Sequence, residues 1–356
     1  MIHLHCHDQH AGPRSNSLLD LIRETRVPGP ISYHYERPGG YEAFARAQGS
    51  RFRVVEAEED GITLGFTQVT FDRVLWEESV LEIAYSGDTR VARSARGLRI
   101  SDRLIFEACG LPVPVFGAVM SGNATVLRSK LGHWRKSGID FKPIADLEAC
   151  FYRPSKAVDH GTWSSRQARP DDLPSMFSLW TQYARSRNLT RSYADPESFG
   201  ADFPPGTSLE TTWLIHEGRD LIAMMSLWDQ DALRIIRVDS RSPAVDFALA
   251  WLPESWIRIP AAGEELRILY SYRHAWAPDH PSAARALRLL IAEGRHQALK
   301  QARHFFCFGI DARDPMAGPA RAGTLFRNRA RIICDPRGVP GVIPGTRPLH
   351  LEIGVG

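Results

Sequence analysis

The sequence predicts an α/β (α+β) chain built as two units in tandem, each a mixed, mainly antiparallel twisted sheet flanked by helices. Three observations lead there. Alternating apolar runs come in hairpin pairs, Arg51–Ala57 with Ile62–Phe71 around "EEDG", and the two arms of Thr211–Gln230 around "EGRD". Each hairpin is followed by a strand, a helix and a further strand, an order that needs a crossover and so a mixed sheet. The chain has 356 residues and is 43% apolar, enough for two cores of ordinary size.

In the first unit, Ser15–Arg26 opens with Ser and Asn and spaces Leu18, Leu19, Leu21 and Ile22 on one side, which predicts an amphipathic helix ended by "VPGP". "GGYEAFARAQG" is a second short helix, punctuated by glycine at both ends. The period then changes to two for the hairpin and for a third strand, Val80–Val91. A helix over Ser101–Cys109, a strand over Val113–Met120 and a helix over Asn123–Arg135 complete the unit. Arg153–Ser165 is polar, carries Gly and Pro and has no apolar period, so the units divide as residues 1–157 and 163–356.

The second unit repeats the order. A strand precedes a helix opened by Asp171 and Asp172, residues suited to a helix N-terminus by capping and by the dipole. The second hairpin follows, then a strand over Leu266–His274, a long helix from Pro281 to Ala302 and a strand over His304–Ile310. The shared order without obvious identity suggests an internal duplication.

Basic content is almost all guanidinium, 39 Arg against five Lys, yet the formal charge is only +3, too small to argue for nucleic acid or membrane. Cys6, Cys109, Cys150, Cys307 and Cys334 are odd in number, scattered and form no CxxC pair, which predicts reduced thiols and a cytoplasmic setting. No apolar run reaches the length of a membrane span.

A strand, an Arg-rich turn and a helix meet at "YSGDTRV" (Tyr85–Val91) and "ARGLRIS" (Ala95–Ser101). This stretch resembles the acyl-CoA loop of the GCN5-related N-acetyltransferase (GNAT) superfamily, and "VMSGNATVLRSK" resembles the element that follows it, with Asn123 in the Asn position. The likeness covers about Tyr33 to Tyr152; the second unit shares the element order but has no pyrophosphate motif. It implies two GNAT-like domains and an acyl-CoA site: Thr89 and Val91 on the strand edge, then Arg93, Arg96, Gly97, Leu98, Arg99 and Ile100 at the helix start, where backbone N–H groups hold a pyrophosphate. Arg99 and Ser101 stand where the motif has small residues, and the usual tyrosine acid is missing from residues 126–130.

For the chemistry, a carboxylate or His in reach takes the proton that an attacking amine must lose. Glu82 and Asp88 are the expected carboxylates, on one side of the strand if it is unbulged, with Tyr85 and His133 as weaker acids. "HLHCHDQH" would align His3, His5 and His7 on one strand face, a metal grip or a solvated edge; no metal is expected. "YSYRHAWAPDH" gathers Tyr270, Tyr272, His274, Trp276 and His280 as a pocket wall or a buried strand, and "FRNRARI" is a basic patch or a charged strand edge.

The resemblance therefore implies an N-acyltransferase that passes an acyl group from acetyl-CoA or another acyl-CoA to a small-molecule amine by direct attack. Two alternatives stay open. One is an amide-forming transferase on the same fold, its donor carried by aminoacyl-tRNA or a carrier protein. The other is a non-catalytic binding protein of that fold.

Overall fold

The computed structural model describes residues 1–8, 15–123, 131–136, 138–157, 161, 163–251, 258–335 and 347–352. The first half runs β1 (His3–Asp8), α1 (Ser15–Glu24), β2 (Ile31–Glu36), α2 (Gly40–Gln48), β3 (Arg51–Glu59), β4 (Ile62–Trp76), β5 (Ser79–Val91), α3 (Ile100–Ala108), β6 (Val115–Met120), α4 (Leu131–Lys136) and β7 (Lys142–Tyr152). The second runs β8 (Ser164–Gln167), α5 (Leu173–Arg185), β9 (Thr190–Arg191), α6 (Pro196–Ala201), β10 (Thr212–Glu217), β11 (Asp220–Asp229), β12 (Ile235–Arg241), α7 (Pro243–Trp251), β13 (Ile268–Trp276), α8 (Ala283–Lys300), β14 (Phe305–Asp311), α9 (Ala317–Arg321) and β15 (Phe326–Asp335). Part of the helix predicted over Asn123–Arg135 lies outside the described residues.

The strands form one continuous sheet in the order β1-β3-β4-β5-β6-β15-β7-β14-β13-β11-β10-β8, with β9 against β4. It is the mixed, mainly antiparallel sheet flanked by helices that the pattern predicts. The chain passes between halves after β7, yet the sheet changes over between β15 and β7: the last strand inserts between β6 and β7, and β7 pairs β14. A separate ribbon, β2 with β12, also joins the halves.

Helices cover both faces. On one, Leu18, Ile22, Tyr41 and Ala45 of α1 and α2 pack on Phe52, Val54 and Phe66; on the other, Ile105 and Ala108 of α3 pack on Val69, Phe71 and Ala84. Each fully buried large apolar side chain contributes roughly 1.5–3 kcal/mol. Gly65 is required where β4 meets β5, since a Cβ there would lie 2.7 Å from the Arg90 carbonyl oxygen.

Of the bulges that interrupt the ladders, two occupy corresponding strands of the halves. Gln68 faces Gly87 but Phe66 faces Arg90, so β5 gains a residue at Asp88, whose φ is +49°. In the second half Ser226 faces Tyr272 but Met224 faces Ala275, and Arg273 has φ +47°. All five cysteines are free thiols, Cys6 exposed and the other four buried. No helix among the described residues is long and apolar enough to cross a membrane.

Candidate functional site

β5 and β6 run parallel and pair only over Ala84–Ser86 and Val115–Gly117. Beyond that ladder β5 continues to Val91 without β6, so the two strands part as a wedge. The chain then makes a 3-10 turn at Arg93–Ala95 and enters α3. Gly97 has φ +92° and nothing within 4 Å of a Cβ, which leaves its backbone open to close approach. Arg99, the N-cap residue, sits at φ +57° and ψ +25°. The backbone thus keeps a glycine-type turn at the position where the motif has a small residue, although an arginine occupies it. Among the described residues, the N–H groups of Gly97, Arg99 and Ile100 make no backbone hydrogen bond, as at a helix N-terminus built to meet an anion.

A cleft of about 820 Å³ opens beside this turn. Arg23 and Arg26 from the end of α1 and its turn line it with Arg93 and Arg96, and Glu24, His34, Asp239 of β12 and Val91 of β5 line it too. Leu98 is exposed, and Ile100 is buried under the loop, where it meets Gly65. The Thr89 hydroxyl lies 2.7 Å from that of Thr67. Asn123 sits exposed in the turn after β6, its N–H donating to the Met120 carbonyl, and does not line this cleft.

The expected acid–base residues separate. The bulge breaks the parity that would have put Glu82 and Asp88 on one side of the strand. Glu82 lies in an exposed ion pair with Arg51 at 2.7 Å, on the sheet face opposite Tyr85. Asp88 is buried between Arg37 (3.2 Å) and Arg90 (2.8 Å). Burial pushes its carboxyl upward, but the two guanidiniums prevail and hold it below the usual carboxylate range, a weak proton acceptor. Burial raises the Tyr85 phenol to about 12, so at neutral pH it is protonated and able to donate. The side chain of His133 lies outside the described residues.

Tyr85 faces a second, smaller cavity of about 60 Å³ between the halves. Asp72, Arg191, Tyr272, Arg273 and Glu352 line it with Tyr85. Arg191 donates to Asp72 and, at 2.9 Å, to Asp202. Burial raises the Asp72 carboxyl and Arg191 opposes it, with a net upward shift. The Glu352 Oε1 atom accepts the Arg273 backbone N–H at 2.7 Å and lies 3.0 Å from the His350 Nε2 atom; Oε2 is buried and has no hydrogen-bond partner. His350 Nδ1 is in turn 3.0 Å from the Tyr183 hydroxyl. A carboxylate held by an amide, backed by a ring and a phenol, with one oxygen unpartnered and a cavity beside it, is equipped to take a proton. Sequence reasoning missed Asp72, His350 and Glu352; only Asp72 left a trace, as a charge interrupting the apolar run of β4.

Of the second-half aromatics, Tyr272 lines this cavity, while His274 is buried against Trp276, Phe308 and His350, where burial first and then His350 push its pKa well down. The "FRNRARI" arginines are matched: Arg327 and Arg329 pair with the buried Glu148, and Arg331 with Asp146. His3, His5 and His7 do share one face of β1, with Glu58 and Glu56 beside His5 and His7. Among the described residues no group of three His, Cys, Asp or Glu is placed to hold a metal.

No family model matches the chain, and a search of curated proteins finds no match. Solved structures do. N-myristoyltransferase of Saccharomyces cerevisiae with bound myristoyl-CoA superposes with a TM-score of 0.61 at 12% identity, over 94% of this chain and 82% of that one. A second structure of the yeast enzyme with myristoyl-CoA gives 0.58 at 12% identity, over 94% and 78%. A GCN5-related N-acetyltransferase from Sphaerobacter thermophilus gives 0.50 at 12% identity, over 79% of each chain. The wedge, the glycine-type turn and these superpositions agree: the chain has the GCN5-related N-acetyltransferase fold.

Proposed function

We propose that this protein is an N-acyltransferase that takes its acyl group from an acyl-CoA thioester and delivers it to an amine. One observation carries the reading: the parted end of β5, a cleft with four arginines lined from Val91 to Arg96, and the amides of Gly97, Arg99 and Ile100 that no backbone carbonyl takes follow one another along the chain. Anionic phosphates fit that turn by the positive end of α3 and by guanidinium forks. The edge of β5 from Gly87 to Val91 pairs with the amide-bearing arm of the donor as an added strand. Likeness to structures of acyltransferases, one of them holding myristoyl-CoA, supports the same donor class.

The bulge at Asp88 then lies beside the thioester carbonyl, and its backbone N–H polarises the oxygen. The equivalent amide of the second half, Arg273 N–H, already holds an anionic oxygen, that of Glu352. An amine in the cavity between the halves attacks the carbonyl carbon. Glu352, through its unpartnered Oε2, accepts the proton that nitrogen loses. The C–S bond breaks as the tetrahedral adduct collapses, and the thiolate leaves to be protonated, with Tyr85 as the phenol available to give that proton.

Calorimetric titration with CoA and acetyl-CoA tests the donor half. Micromolar binding is expected, weakened by Arg96→Ala, which removes a phosphate fork, and by Gly97→Trp, which fills the open turn. No binding by the wild-type chain would overturn the reading.

A further inference from the structure

Behind the β5 bulge, on the face covered by α2, buried donors outnumber acceptors. The guanidinium carbons of Arg37, Arg90 and Arg234 all lie within 6 Å of the Tyr35 ring centre, at 5.3, 5.7 and 5.1 Å. Arg37 also stacks 3.5 Å from the centre of Phe44. Its side chain is 2% exposed and that of Arg90 14%. Among the described residues the acid that answers them is Asp88, which takes one nitrogen from each. Arg234 donates to Gln230 at 2.6 Å, which satisfies a donor without adding negative charge. Arg37 Nε, Arg37 Nη1, Arg90 Nε and the hydroxyl of Tyr41, all buried, have no hydrogen-bond partner. Leaving a buried cation unmatched is among the costliest arrangements in a protein interior. Four buried donors without an acceptor, three of them on guanidiniums that share a single carboxylate, call for a further acceptor with more than one oxygen.

We propose that this cluster is a carboxylate-recognition site and that the substrate pair carries a carboxylate close to the reacting carbon. The proposal rests on the acyl-transfer reading, because that reading puts the thioester at Asp88 and so fixes which part of the substrates can reach Arg37 and Tyr41. Two sources share this chemistry: the far end of a dicarboxylic acyl group, or the carboxylate of an amino acid acceptor. The phosphates of CoA itself belong to the cleft at Arg93 and Arg96, further along the chain from the bulge.

Titration of the full chain with CoA, butyryl-CoA and succinyl-CoA separates the sources. The two acyl groups have equal chain length and differ in whether they end in a methyl or a carboxylate. If the acyl group is the source, succinyl-CoA binds at least about tenfold tighter than butyryl-CoA, the effect of one charge-assisted hydrogen bond. Arg37→Met erases that preference while CoA affinity stays. If the acceptor is the source, the two thioesters bind alike, and the CoA-saturated protein binds an amino acid at least tenfold tighter than its decarboxylated amine across the standard set. Tyr41→Phe, which removes only a hydroxyl, lowers whichever preference is seen about threefold and guards against misreading a folding defect in Arg37→Met. CoA binding with no carboxylate preference in either arm would overturn this proposal alone. Absence of CoA binding would overturn the acyl-transfer reading, and this proposal with it.

Discussion

Asp88→Asn is the most informative single change, because it keeps the shape of the side chain and removes the negative charge that, among the described residues, answers Arg37 and Arg90. The carboxylate is 7% exposed and its partners 2% and 14%, at 3.2 and 2.8 Å, so solvent screens little of the interaction. Breaking a buried ion pair by neutralising one partner costs about 3–5 kcal/mol, most of it the penalty of the charges left behind. The lower end, about 3 kcal/mol, is expected here, since the amide oxygen of Asn still accepts one hydrogen bond. With a urea dependence of about 3 kcal/mol per molar, the unfolding midpoint falls by about 1 M. The pH dependence follows from the same ion pairs. A carboxyl whose folded pKa is depressed contributes stability that is present above its unfolded value near 3.9 and lost as pH falls through the folded value. Wild-type stability therefore declines more steeply than that of Asp88→Asn as pH drops below about 4. Urea titrations of both proteins at several pH values measure this. A midpoint shift under about 0.3 M, or parallel pH profiles, would refute the claim that Asp88 neutralises the buried arginines.

Changes at two further positions test other parts of the site. Arg99 holds φ +57°, a region that costs a non-glycine residue roughly 1 kcal/mol, so Arg99→Gly is expected to stabilise by a few tenths of a kcal/mol after the entropy of glycine is subtracted, and Arg99→Val to destabilise by about 1 kcal/mol or more. Equal midpoints for both in chemical denaturation would mean the turn relaxes in solution. Glu352→Gln is expected to leave CoA affinity unchanged and to slow acyl transfer about a hundredfold, as loss of a positioned proton acceptor does; a change under threefold would assign the proton to another group.

Much of the scaffold was legible because it is local. The hairpins β3–β4 and β10–β11 and helix α8 show their periods within a dozen residues, and the Arg99 turn could be located by motif even though its side chain is wrong for it. What could not be read depends on distant partners. Arg329 reads as an exposed basic residue, yet it pairs with Glu148, 181 positions earlier, because β15 crosses into the other half of the sheet. The β2–β12 ribbon joins residues some two hundred apart for the same reason. Parity along β5 failed at one inserted residue, and an apolar/polar pattern carries no mark of a bulge whose extra residue is an aspartate. His350 and Glu352 belong to no motif at all; they matter because the 347–352 segment is laid beside Asn188 and Asp311, its Leu349 and His350 amides bonding there.

The two bulges explain why the halves are not interchangeable. Tyr85-Ser86-Gly87-Asp88 and Tyr270-Ser271-Tyr272-Arg273 occupy corresponding places in the two halves of the sheet, each on a strand that pairs briefly in parallel with one neighbour and bulges against the other, and each ends in a residue with φ near +48°. A positive φ in a non-glycine residue is strained and persists only where the surroundings enforce it. Its recurrence supports duplication of one unit more strongly than element order does, since order can converge while a strained residue at a matched register has no general reason to. The residues in that place carry opposite charge, and this separates their roles. In the second half the bulge amide is already taken by Glu352, and the Arg273 guanidinium is spent on the Phe199 carbonyl and the Tyr193 hydroxyl. In the first half the four-arginine cleft, lined from Val91 on, and the open turn at Gly97 follow the bulge along the chain. On the acyl-transfer reading, one copy keeps the donor site, and the other has turned its own bulge into a mount for the group that deprotonates the acceptor.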